Sequence, residues 1–338
     1  NETEKTLINL YMKIQTLKYI IRNNLKLFKP IFEFIQSIFK GKEPSQKANA
    51  RYSYSVWFRH ILHLKEHGLN VSPKVIAELG PGDSIGVGLL GLLCGAKEYY
   101  AFDSINYTNL KDNLNILEDL TKMLKNEEKI PNEEEFPEIS PKIINYGFSK
   151  KIIQEFNILE NIDEKSNRLF NTILQEDISQ NNFPSVQYFA PWNQNDLIKK
   201  ESVDLIFSQA VLEHVENLDF TYKAMSLWLK KGGLMSHQID FQSHLTASEW
   251  NGHWTYSPFE WKLLNANQEY SINREPLSVH LFLMKKYGFS IISVYPSTEY
   301  HKNYYTDTIS RNNLDEQFKN LTNEDLETVK CHIIAQKV

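Results

Sequence analysis

The sequence predicts an α/β fold: a seven-stranded, mostly parallel sheet with helices on both faces. Three observations carry this. Seven short apolar runs recur along the chain with helix-like stretches between several of them, the pattern of parallel strands joined by crossovers. The chain has 338 residues, 41% of them hydrophobic, enough for one large domain with additions. A glycine pair, Gly80 and Gly82, closes the first apolar run and precedes a helical pattern.

Taken in order, the first element is an arm. Residues 1–50 read as a helical arm and polar linker ahead of a domain at 51–338. Between Leu7 and Lys42 apolar residues fall at helical spacing, interrupted by Pro30, and Lys13, Lys18, Arg22, Lys26, Lys29, Lys40 and Lys42 face a single acid, Glu33. A basic amphipathic helix suits an anionic membrane surface, and the same pattern suits packing on the next domain or on another subunit. The stretch Gly41–Arg51 is then the linker.

The strand candidates follow as Val75–Leu79, Glu98–Phe102, Val186–Ala190, Val203–Ser208, Leu234–Ile239, Ser290–Val294 and Cys331–Ala335. A helical pattern over Phe220–Lys230 stops at Gly232-Gly233. The charged interval at about 105–183 reads as an insertion with its own helices, and about 242–280 as a lid beyond the fifth strand. No internal repeat is evident.

Composition narrows the function. A net charge of -5 and an isoelectric point near 6.1 leave no basic footprint, so no nucleic-acid partner is expected. Cys94 and Cys331 lack metal spacing and fit a reduced, cytoplasmic protein, with the arm allowing a peripheral place at the inner membrane face. No run is apolar enough to span a bilayer, and the first residue, Asn1, fits a piece of a longer chain.

The glycine turn lacks the third glycine of a dinucleotide fingerprint at its usual place, which is Ile85, and lacks the Gly-Lys-Ser/Thr of a phosphate loop. Asp103 lies about 20 residues beyond it, where an acid accepts two ribose hydroxyls. In combination, Glu78-Leu-Gly80-Pro81-Gly82-Asp83-Ser84, "YAFD" ending at Asp103, "SVDLIFSQAVLEHV" and "LKKGGLMSHQIDF" resemble, in order, the motifs of class I S-adenosylmethionine-dependent methyltransferases. The resemblance runs from about Ser72 to Val338 and implies a Rossmann-like fold, S-adenosyl-L-methionine as cofactor, and methyl transfer. It also implies that Glu78, Gly80, Pro81, Gly82, Asp83, Ser84, Asp103, Ser208 and Gln209 hold the cofactor. The acid that many members place after the third strand is replaced by "YFAPWNQND", so Trp192 and Asn193 are the candidates for adenine.

Methyl transfer to a hydroxyl needs that proton removed by a base or made acidic by a metal. His237, Asp240, Glu213 and His214, in the two loops at the carboxyl ends of the fourth and fifth strands, are the catalytic candidates. Strand alternation sets His237 and Asp240 on opposite faces unless the strand ends between them. Ubiquinone-type O-methyltransferases and small-RNA 2′-O-methyltransferases carry E-x-x-E-H where this chain has Ala210 to His214, with Ala210 in the first glutamate's place. Glu213, His214 and His237 are accordingly candidate ligands for Mg²⁺ or Mn²⁺, with Asp240 or His244 able to complete the shell. In the lid, His244, Trp250, His253, Trp254, Tyr256 and Arg274 form a cluster suited to stacking on a sugar and clasping its hydroxyls, or to a small core of the lid's own. With "SHQIDF…WNGHW…INR" this is similar to methyltransferases of bacterial surface-glycan biosynthesis, which implies an O-methyltransferase of a nucleotide-sugar or glycan. Methylation of another small metabolite or RNA, and a non-catalytic cofactor-binding module, remain open.

Overall fold

A computed structural model describes residues 49–69, 71–147, 158–174, 185–244, 246–265, 271–300, 302 and 304–338. The amphipathic arm, and the linker up to residue 48, lie outside the described residues. The domain opens on α1 (Ala50–Glu66), inside the stretch read as linker, because the Asn49 side chain caps its first turn by accepting from the Arg51 N–H at 2.8 Å.

Seven strands follow in the expected places: β1 (Val75–Leu79), β2 (Glu98–Phe102), β3 (Ser185–Phe189), β4 (Val203–Gln209), β5 (Leu229–Asp240), β6 (Phe289–Ser297) and β7 (Lys330–Lys337). They form one sheet in the order β3-β2-β1-β4-β5-β7-β6, with β7 antiparallel to both neighbours. This is a Rossmann-like sheet. The helical pattern expected to run on to Lys230 ends at Trp228, and β5 begins at once. A register shift between the pairs Val203–Leu229 and Leu205–Leu234 absorbs the Gly232-Gly233 turn as a bulge.

Residues of alternate strand positions point to opposite faces, and the two faces carry separate cores. Ile76, Tyr99, Leu205 and Phe207 pack beneath α1, α2 (Gly86–Leu93) and α3 (Leu110–Lys125). Ala77, Phe102, Ile206 and Met235 pack beneath α5 (Leu218–Trp228) and α7 (Leu277–Lys286). The interval at about 105–183 carries α3 and α4 (Ile162–Leu174), and α3 joins the first core. Arg59 of α1 fastens the rest of it: its guanidinium, fully buried, donates to Glu133 Oε1 at 2.9 Å, the Ile139 carbonyl at 2.9 Å and the Pro141 carbonyl at 3.0 Å.

The segment read as a lid, about 242–280, runs into α7, which packs against β6 in the framework. It contains a 3-10 turn (Gly252–Thr255) and α6 (Pro258–Asn265). Trp250 and Trp254 form a third, small core with Tyr305, Leu314 and Val329. A short helix, α8 (Asn323–Glu327), leads into β7. No helix of the described residues is long and apolar enough to cross a membrane.

Candidate active site

The winding of the sheet reverses between β1 and β4, and the crevice beyond the carboxyl ends of these strands is where such sheets bind ligands. The cradle there is built from backbone. Gly80 and Gly82 have φ of 64° and 71°, a region that favours glycine. The Gly80 N–H donates to the Phe102 carbonyl at 2.8 Å, and the Gly82 N–H donates to Asp103 Oδ2 at 2.9 Å. Asp103 Oδ1 accepts from the Ser104 N–H at 2.7 Å, so the acid at the end of β2 is aimed across the turn after β1. Ser84 Oγ accepts from the Gly86 N–H at 2.9 Å and starts α2. Pro81 is buried and Asp83 half-buried in the same turn.

Glu78 is buried one residue pair below the cradle and accepts from Tyr99 Oη at 2.6 Å. Space for that phenol comes from Gly88 of α2, where a Cβ would sit 2.1 Å from the Tyr99 ring. Tyr52 of α1 lies within electrostatic reach of Glu78 and Glu213. Burial first, then the nearby carboxylates of Glu78 and Glu213, push its hydroxyl pKa up. Sequence reasoning missed Tyr52 and Tyr99, since a tyrosine in an apolar helix or strand reads as core.

Beyond β3, the Trp192 N–H donates to the Asp103 carbonyl at 3.2 Å, and its half-buried ring leans on Phe102, Trp228 and Phe220. Asn193 beside it is exposed.

The carboxyl end of β4 carries the polar groups. Val211 packs on the cradle, Ala210 has φ of 52°, and the Asn273 side chain donates to the carbonyls of Leu212 at 2.7 Å and Val215 at 3.0 Å, fixing the loop from the lid side. Glu213, His214 and His244 offer ligand atoms that all lie within 4.8 Å of one another. His244 is held in position by a φ of 48°, and its ring stands edge-on to His214. Desolvation, opposed by Asp240, lowers the His244 pKa, which favours the neutral, ligating imidazole. One carboxylate and two imidazoles suit Mn²⁺ better than Mg²⁺, which prefers oxygen throughout.

His237 is not in that group. It lies on the α5 and α7 face of the sheet, fully buried, with Nδ1 2.8 Å from Ser208 Oγ. Burial lowers its pKa to about 3, so it is a neutral ring of low basicity. The base and metal roles expected of His237 therefore have no geometric support, because β5 runs on to Asp240 and keeps His237 inside the sheet. Asp240 itself accepts from the Gln242 backbone N–H at 2.9 Å and from the Gln242 side chain at 2.9 and 3.0 Å.

The lid aromatics are also placed differently from the expectation of sugar-stacking faces. Trp250 donates from Nε1 to Thr308 Oγ1 at 2.9 Å and Trp254 to the Arg274 carbonyl at 2.9 Å, both rings being buried. His253 is buried against Trp254, and Tyr256 Oη donates to the Thr246 carbonyl at 2.9 Å. Arg274 donates to the carbonyls of His253 and Tyr256 between the rings of Trp261 and Phe318. Their polar atoms hold the lid together, as amphipathic aromatics do in small cores.

No family model and no curated protein matches the chain. Among solved structures, it is similar to an S-adenosylmethionine-dependent methyltransferase from Mesorhizobium loti at 12% identity, over 81% of this chain and 96% of that one, with a TM-score of 0.36. A methyltransferase of Methanosarcina mazei shares 11% identity over 81% and 97% of the two chains, with a TM-score of 0.41. A phosphoethanolamine N-methyltransferase of Haemonchus contortus shares 14% identity over 83% of this chain and 52% of that one, also at 0.41. Likeness at this level concerns the arrangement of strands and helices, not the chemistry. The fold and the cradle define a Rossmann-like domain with a candidate ligand site at its switch point.

Proposed function

We propose that this chain is an S-adenosylmethionine-dependent O-methyltransferase acting on a sugar hydroxyl, carried on a nucleotide-sugar or a glycan. One observation carries the cofactor reading: two left-handed glycines after β1 whose second N–H donates to the acid ending β2. A cofactor without pyrophosphate needs close backbone approach and an acid for its ribose, and this cradle supplies both. When bound, the cofactor supplies an electrophilic methyl group.

The chain's own residues do the rest. Asp103 accepts the ribose hydroxyls, Trp192 and Asn193 border the adenine, and Glu78 lends negative charge toward the ammonium. Glu213, His214 and His244 would hold a divalent cation, whose Lewis acidity lowers the pKa of a coordinated hydroxyl. The buried, neutral His237 positions Ser208 at the carboxyl end of β4.

The test is transfer of labelled methyl from S-adenosylmethionine to a panel of nucleotide-sugars, with and without chelator. Label on a sugar oxygen, lost with chelator and restored by Mn²⁺, is the expected result. Tight cofactor binding with no transfer to any hydroxyl would leave a binding module instead. Absence of cofactor binding by calorimetry would end the methyltransferase reading.

A further inference from the structure

A polar cavity of about 240 Å³ lies on the α1 face of the sheet at the ends of β5, β6 and β7. Gln238, Lys330, Tyr295 and Ser140 are among its walls. The end of β4 lies between it and the cradle. Gln238 is the register partner of Gln209, its carbonyl accepts from the Ala210 N–H at 3.0 Å, and Gln209 Nε2 donates to the Ser140 carbonyl at 3.3 Å. Adjacent strands lie about 4.8 Å apart, so the cavity starts one strand beyond the loop that packs on Gly80. Lys330 is also within electrostatic reach of His244 in the ligating cluster.

Three features of the walls define a ligand. Gln238 is 2% exposed, and its Oε1 has no hydrogen-bond partner among the described residues, although Nε2 donates to the Ile239 carbonyl at 3.1 Å. Buried acceptors in folded chains are almost always satisfied, so one in a cavity wall calls for a donor from outside the chain. Second, each wall lysine has its own carboxylate: Lys330 Nζ pairs with Glu138 Oε2, and Lys142 Nζ with Glu299 Oε2 at 3.2 Å. The pairs cancel, and no uncompensated cation is left for phosphate or carboxylate among the described residues of the walls. Third, the volume is below the roughly 300–1,000 Å³ of drug-sized ligand sites, which limits the occupant to about one ring. Tyr295, 47% exposed, offers that ring an aromatic surface.

We propose that this cavity is the acceptor's sugar subsite. It takes a neutral, polyhydroxylated ring, one of whose hydroxyls donates to Gln238 Oε1 while its carbon face lies on Tyr295. Gln238 is thus a specificity residue, and the sugar surface is assigned to this cavity rather than to the tryptophans, which pack on Val329 in a core of their own. The proposal rests on the sugar reading of the function, yet binding can be read without turnover.

The test is saturation-transfer NMR on the full chain with methyl α-D-glucopyranoside, and with cyclohexanemethanol as an apolar ring of similar size. The glucoside should bind and the apolar ring should not. Gln238→Met should weaken glucoside binding by about tenfold or more, while Gln238→Glu, which keeps an acceptor oxygen, retains it. Thermal unfolding checks each variant, and Tyr295→Ala, at the exposed rim, serves if Gln238→Met does not fold; it should also weaken binding. No saturation of the glucoside by the parent chain, or equal binding by Gln238→Met or a folded Tyr295→Ala, would overturn the proposal and leave water as the partner of Gln238. Calorimetry with S-adenosylmethionine separates the two readings. Glucoside binding without cofactor binding removes the enzyme and keeps the subsite, and the reverse removes only the subsite.

Discussion

Replacing Gly80 by alanine tests the cradle with one methyl group. At φ of 64° an alanine is strained, a cost of about 1–2 kcal/mol for left-handed backbone. The added Cβ would also lie 2.5 and 2.6 Å from the two methyls of Val211, and overpacking of that kind typically costs about 1–3 kcal/mol. Together Gly80→Ala should lose about 2–5 kcal/mol of stability. Val211→Ala in the same chain removes both clashing methyls but not the strain, so the double variant should recover about 1–3 kcal/mol of the loss. Urea unfolding of all four chains gives the coupling, and calorimetry gives S-adenosylmethionine affinity. Cofactor affinity should fall in Gly80→Ala and return only in part in the double variant, because the turn moves away from the ligand. Full stability with unchanged affinity in Gly80→Ala would refute the reasoning.

Four further outcomes are expected. Asp103→Ala should weaken S-adenosylmethionine binding by about 1.5–3 kcal/mol, read by calorimetry on a chain whose fold is checked separately. Mn²⁺ at about 100 times its dissociation constant should stabilise the chain by about 2.7 kcal/mol in thermal unfolding, and His244→Ala should abolish that shift. Trp254→Ala should cost about 3–5 kcal/mol of stability with no selective loss of acceptor affinity; a selective rise in acceptor KM at full stability would restore the stacking role. For pH, burial lowers the pKa of His60, His237 and His280 from 6.5 to about 3. The unfolded chain then holds more protons between about pH 3 and 6.5, so stability is complete above that window and is lost as pH falls through it. At pH 5 each group should cost about 2 kcal/mol, or about 6 kcal/mol together, and urea midpoints that do not move between pH 7 and 5 would contradict this.

The strands and the cradle were legible because both are local. A parallel strand is a short apolar run, and β1 and β2 begin and end where those runs do. A left-handed turn needs glycine, so Gly80 and Gly82 announce it in the sequence. The ends of α5 and β5 were harder. Gly232-Gly233 reads as the punctuation between a helix and a strand, but the pairing of Leu229 with Val203 begins the strand before the glycines and turns them into a bulge. Tertiary pairing overrode the local signal.

The candidate site divides along the same line. Glu213 and His214 are neighbours in a loop and readable as ligands, and His244, a candidate to complete the shell, joins them from 30 positions away through a left-handed bend, whereas Asp240 and His237 do not. His237 shows the opposite failure. Its place near the end of an apolar strand matched a catalytic position, but β5 extends three residues further, and alternation turns its ring into the α5 and α7 face, where Ser208 takes it up. Gln238, the next residue, faces the other way, into the cavity beside Lys330. A one-residue difference in register decides which of two adjacent polar side chains meets a ligand, and no sequence pattern states that register. The same logic separates the two proposals experimentally: His237→Gln should lower stability through Ser208 and leave glucoside binding intact, whereas Gln238→Met should do the reverse. Loss of glucoside binding in a folded His237→Gln chain would mean that the sheet face has been misassigned.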